Sequence, residues 1–133
     1  VDGAIGSLVY LLQTYDADTA IMGIQMPGLK CGASQDKLLN AKEQRQIELD
    51  VVAFQHERDD KHDTLLWDSQ CGKLFNRRII NRFNLQFVSG LARSEDALFC
   101  LDYYERKRKI VIDNKVIYRY VLNDNSLTLR LIR

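Results

Sequence analysis

Glu95 and Asp96 stand side by side just ahead of the apolar run Ala97-Leu98-Phe99-Cys100-Leu101. Adjacent carboxylates at that place are open to two readings. They complement the positive end of a helix, or one of them serves as a general base that takes a proton from an attacking hydroxyl. Neighbouring negative charge raises a carboxyl pKa and the helix dipole lowers it, so spacing alone leaves the protonation state open. A second charged cluster, from His56 to Asp63, holds two histidines and four acidic residues, which are metal-ligand types. Its histidines are six apart with charges between, which matches no standard metal site, and an exposed loop is expected. Gly3 and Gly6 flank a helix start without the remainder of a phosphate-loop fingerprint. No GxSxG elbow occurs, and no cysteine has a histidine close by in sequence, so nucleophilic catalysis has no support.

The elements around these residues follow from apolar periodicity. Ile5, Leu8, Val9, Leu12 and Tyr15 recur at helical spacing, so residues 4–15 are expected to form an amphipathic helix. Residues 19–24 make a continuous apolar run of strand length, closed by Pro27-Gly28. A polar helix is expected over 34–46 with Ser34 as N-cap, and a strand over 48–54. A short helix is expected around 76–83, and a longer one over 94–105 capped by Ser94. The stripe of that longer helix is Ala97, Leu98, Leu101 and Tyr104, widened by Phe99, Cys100 and Tyr103. Residues 109–113 and 115–121 are expected as two strands around Asp113-Asn114, a hairpin-like signature. Helix followed by buried strand is the unit of an α/β sheet.

The chain has 133 residues, the size of one domain, with 46% apolar and 28% charged residues. Nineteen basic and eighteen acidic side chains give a net charge of +1, so no nucleic-acid partner is expected. Arg77, Arg78 and Arg82, and the cluster beginning at Arg106, are expected at solvated helix ends. Cys31, Cys71 and Cys100 are too few and too irregularly spaced for a disulfide framework or a zinc site. Reduced thiols in a cytoplasmic compartment are expected instead. Apolar runs fall far short of the ~20 residues of a membrane span. No leader-like segment opens the chain, and a start at Val1 rather than methionine fits a fragment.

Several motifs in order then resemble one family. Cys71-Gly72-Lys73-Leu74-Phe75-Asn76-Arg77, Ile79-Ile80, and Phe83-Asn84-Leu85-Gln86-Phe87 are followed by Ser94-Glu95-Asp96-Ala97-Leu98-Phe99. Tyr118-Arg119-Tyr120 and Asn125-Ser126-Leu127-Thr128 come last. This succession resembles the acceptor-side, C-terminal half of bacterial family 2 glycosyltransferases of the GT-A fold. In that family a tryptophan, a lysine and an aromatic precede a short helix and a "glycine-leucine-x-phenylalanine" turn. A "glutamate-aspartate-x-x-phenylalanine" motif and a "tyrosine-x-tyrosine … asparagine-serine-x-threonine" ending come after. Asn84 replaces the usual glycine, and asparagine tolerates left-handed backbone. Residues 4–22 are similar to the segment that follows the family's DxD motif, and the similarity is weak over 28–62.

The resemblance implies one α/β unit over residues 1–133, a partial GT-A fold with a short mixed sheet packed by helices. Its nucleotide-binding half lies upstream. It implies inverting transfer of a sugar from a nucleotide-sugar donor to a carbohydrate acceptor in cell-surface polysaccharide synthesis, at the cytoplasmic face of a membrane. Asp96 is the implied base and Glu95 its orienting neighbour. Trp67, Lys73 and Arg93 are candidates for acceptor contact, although a core role for Trp67 and surface roles for Lys73 and Arg93 stand beside that. Mg²⁺ or Mn²⁺ is expected on an upstream DxD, with no metal site in this chain. The chain alone is expected to be inactive. It is also expected to form a homodimer through the first helix or through strand 19–24, left with an uncovered edge or face. The rival expectation is a non-catalytic α+β module that binds a protein or a glycan.

Overall fold

The computed structural model describes residues 2–26, 29–31, 35–53, 68–91, 94–106 and 109–121. Helix α1 (Ala4–Tyr15) leads into strand β1 (Thr19–Met26), followed by β2 (Leu29–Cys31) and β3 (Lys37–Leu38). Helix α2 (Ala41–Ala53), strand β4 (Lys73–Phe75), helices α3 (Arg77–Phe83) and α4 (Glu95–Tyr104), and strand β5 (Ile110–Arg119) complete the order. Five strands form one mixed sheet. β1 and β5 lie parallel at its centre, β3 is antiparallel outside β5, and β4 and β2 share the other edge of β1. The architecture is α/β, a small mixed sheet with helices on both faces.

Alternation along the strands sorts the core into two layers. Ala20, Met22, Val111 and Ile117 point to α1 and meet Leu8 and Leu11. Ile21, Ile110 and Ile112 point the other way, into a larger cluster with Ile47 and Val51 of α2, Ile79 of α3, and Phe99, Tyr103 and Tyr104 of α4. The central strands supply the most deeply buried aliphatic side chains, each worth roughly 1.5–3 kcal/mol. Tyr103 links the layers' edges. Its hydroxyl accepts from Thr19 Oγ1 at 2.9 Å and from the Asn76 backbone N–H at 3.0 Å.

Several expectations give way here. β1 is not left open: β5 flanks one edge, β4 and β2 the other, and both faces are packed. The reason for a dimer that covers this strand therefore disappears. Residues 48–53, expected as strand, continue α2, which begins at Ala41 rather than at 34. Its cap is Asn40, whose Oδ1 accepts from the N–H groups of Lys42 and Glu43 while Glu43 Oε2 accepts from Asn40 N. That reciprocal box outcompetes the β-propensity of Val51 and Val52. Ser34 lies outside the described residues.

The Asp113-Asn114 pair makes a bulge instead of a hairpin. β5 advances from Ile112 to Val116 while its parallel neighbour β1 advances only from Ile21 to Gly23. Ser94 makes no side-chain cap and sits at φ 67°. The buried face of α4 is Ala97, Phe99, Cys100, Tyr103 and Tyr104, with Leu98 exposed. Arg77 and Arg78 lie in the first turn of α3, not at its cation-favouring end. Helix 4–15 and the left-handed Asn84 (φ 50°) are as expected. Among the described residues no helix is long and apolar enough to cross a membrane.

Candidate functional site

The turn of residues 68–72 delivers Lys73 into the protein. Ser69 Oγ accepts from Cys71 N at 3.1 Å, and Gly72 takes φ 69° with its carbonyl accepting from Met22 N at 3.0 Å. A Cβ on Gly72 would lie 3.0 Å from the Met22 carbonyl oxygen and 3.1 Å from Ile24 Cγ1, so only glycine fits this approach. Lys73 then opens β4, paired with Ile21, and is buried. Its Nζ donates to the Ser69 carbonyl. The surface role open to Lys73 in the sequence does not hold, because the turn points the side chain inward.

On the facing side, Asp96, Cys100 and Tyr104 follow one another at four-residue steps along α4, so they line one face of the helix. Burial lowers the Lys73 ammonium to about pH 8, and the sulfur of Cys100 together with Asp68, Cys71 and Asp96 keeps it from falling further. Burial also raises the Asp96 carboxyl above its usual range. The neighbouring Glu95 and Asp68 add to that rise, while a hydrogen bond from Gln70 and the charge of Lys73 oppose it. The net direction is upward, and desolvation is its largest cause. Cys100 is pushed up to about 11 by burial, and Tyr104, wholly buried beside it, lies well above its usual value.

The expected pair is therefore one part of a larger group. Glu95 and Asp96 occupy the first turn of α4, and Lys73 joins them electrostatically. Trp67 and Arg93 lie outside the described residues, as does the segment from His56 to Asp63. Sequence reasoning missed Asp68, Gln70, Cys71 and Cys100. The four-residue spacing from Asp96 to Cys100 to Tyr104 was a usable signal, but nothing in the sequence announced that residues 68–73 would face it. Tyr118 of β5 comes to the same turn, where its hydroxyl shares a hydrogen bond with the Cys71 sulfur, the main cause of its raised pKa.

Chemically, the group offers a partly desolvated carboxyl whose proton affinity is raised toward neutrality, next to a buried amine lowered toward neutrality. Such paired displacement is typical of acid–base sites, although structural clusters produce it too. Among the described residues no three histidine, cysteine or acidic side chains are grouped to hold a metal ion. The residues here do not fit a divalent cation, since an ammonium already supplies the positive charge beside Asp68 and Asp96. No protein-family model, curated protein or solved structure matches this chain.

Proposed function

We propose that this chain is the acceptor side of an inverting family 2 glycosyltransferase, with Asp96 as general base. The reading rests on the ordered motifs of residues 71–128. One observation carries it to chemistry: the Asp96 carboxyl, raised by burial and by Glu95, interacts electrostatically with the buried Lys73. The acceptor hydroxyl attacks the anomeric carbon of a nucleotide sugar and forms the new C–O bond. Its proton passes to the Asp96 carboxylate, and the bond to the nucleoside diphosphate breaks with its electron pair on the leaving phosphate oxygen. Glu95 orients acceptor or base. Lys73 works through Asp96, because its charge favours the carboxylate form that can accept the proton. The metal expected on an upstream DxD has no place among these residues, and no step here passes through it. Cell-surface polysaccharide synthesis at the cytoplasmic side of a membrane is the setting the resemblance suggests.

The test uses the full-length protein with UDP-, GDP- and TDP-sugars and oligosaccharide acceptors, following release of nucleoside diphosphate. Asp96→Asn should lower turnover by roughly 10²–10⁴-fold, the usual contribution of a general base, with donor affinity unchanged. Retention of more than half of wild-type turnover returns Glu95 and Asp96 to the role of helix-end charges. The isolated chain should show no metal-dependent low-micromolar binding of these sugar nucleotides in calorimetry.

A second reading, a non-catalytic module for protein or glycan binding, is favoured by the closure of β1 on both edges and both faces. A full-length protein inert toward every donor in the panel would select it.

A further inference from the structure

A groove of about 590 Å³ lies on the α1 side of the sheet, whereas Lys73 and Asp96 belong with α4 on the other face. Its existence follows from local geometry. The bulge in β5 turns Asp113 and Lys115 outward, with Lys115 N donating to Asp113 Oδ1 at 3.1 Å. Opposite them, Gly3 caps α1 and Gly6 lies in its first turn, and together they leave the space that side chains would fill. Leu11 and Met22 make an apolar floor.

Two carboxylates (Asp36 and Asp113), the Lys115 ammonium and the hydroxyls of Ser7, Tyr10, Thr14 and Tyr15 are the polar groups of the groove. Tyr15 donates its hydroxyl to Asp36 Oδ2 at 2.9 Å, and that hydrogen bond, then burial and the charges of Asp36 and Asp113, hold the phenol above its usual pKa. Lys115 Nζ is turned onto Ser7 Oγ at 2.8 Å, and no salt bridge among the described residues uses Asp36 or Asp113. Tyr10 presents its ring at the rim with 71% of its surface open to solvent. An aromatic face beside two carboxylates, over an apolar floor, suits a ring that is apolar on its face and donates hydroxyls from its edge. With two carboxylates against the one ammonium of Lys115 the lining is net negative and disfavours an anion, and an apolar ligand would leave the charged groups desolvated.

We propose that this groove binds a neutral pyranose, as a mono- or disaccharide, with its ring on Tyr10 and its hydroxyls donating to Asp36 and Asp113. The volume falls within the range of small-molecule pockets. The subsite stands on the groove's own residues and does not depend on Asp96 acting as a base.

Amide chemical shifts of the ¹⁵N-labelled chain, titrated with maltose, cellobiose and lactose, test it. At least one sugar should move resonances of α1, of the residues around Asp36 and of the β5 bulge, saturably in the millimolar range. Gly6→Leu should abolish the shifts by filling the groove. The helix tolerates it, because a Cβ at Gly6 meets nothing within 4 Å and leucine is the better helix former. Asp113→Asn should weaken binding by about tenfold, the cost of losing a charged acceptor. Asp96→Asn should leave it unchanged, which separates this subsite from the proposed transferase chemistry. Shifts confined to residues around Asp96, sugar binding that survives Gly6→Leu, no saturable shift with any of the sugars, or a response to spermidine alone would each overturn the proposal.

Discussion

Replacing Lys73 with methionine tests the electrostatics of the α4-facing cluster directly. Methionine keeps most of the side chain's length and apolar volume and removes the ammonium. In the folded chain that ammonium loses its proton near pH 8, against 10.5 for an ordinary lysine, because burial disfavours the charge. Below about pH 8 the folded state therefore carries a penalty of about 3 kcal/mol relative to the unfolded chain. Between the folded and unfolded pKa values the unfolded state binds more protons, so this contribution makes stability rise with pH, and the penalty is gone above 10.5. Lys73→Met should abolish that rise. From about pH 7 to about pH 9 the wild type should gain about 1 kcal/mol on the variant.

The absolute offset at neutral pH is less decisive, since the variant also loses the donation from Nζ to the Ser69 carbonyl, worth about 1.5–3 kcal/mol for a charged donor. Cys100 works in the opposite direction. Its folded pKa of about 11 lies above its unfolded value, so its contribution falls as pH rises past about 9, which is why the comparison stops there. Urea unfolding at matched ionic strength gives both stabilities, with equal slopes required for a clean comparison. Curves for wild type and variant that stay parallel across this range would show that Lys73 is not desolvated as its burial implies.

Three further outcomes follow from particular contacts. Gly72→Ala should destabilise the chain by about 1–3 kcal/mol, since alanine must hold a left-handed φ with its Cβ against the Met22 carbonyl; an unchanged melting temperature would contradict this. Tyr103→Phe should cost about 1–3 kcal/mol by leaving the Thr19 hydroxyl and the Asn76 N–H without their acceptor, and a loss under about 0.5 kcal/mol in urea titration would refute the assignment. On the proposed transferase reading, Glu95→Gln in the full-length protein should move the acid limb of the pH–rate profile to lower pH, because burial and then the Glu95 charge raise Asp96. An acid limb that stays in place would detach Asp96 from the rate.

What the sequence determined by itself was local. The helix of residues 4–15, the continuous run of β1 and the left-handed Asn84 are properties of a few neighbouring residues and came out as read, although α1 buries Leu8 and Leu11 and leaves Ile5 and Val9 of the expected stripe exposed. The carboxylate pair in the first turn of α4 was legible for the same reason. Readings failed where distant partners decided. Val51 and Val52 are strand formers, yet the capping box at Asn40 and the packing of Val51 into the larger core keep them helical. Asp113-Asn114 favours a tight turn, yet the parallel register of β5 on β1 absorbs it as a bulge and opens the groove beside α1. Burial of Lys73 was the least legible feature. Nothing in its neighbours' types distinguishes it from a surface lysine. Its depth comes from Gly72 pressing on β1 and from α4 closing over the turn, and desolvation depends on everything that surrounds a charge. Secondary structure follows from neighbours in the chain. The protonation state of Lys73 and Asp96 follows from neighbours in space, and only the tertiary structure supplies those.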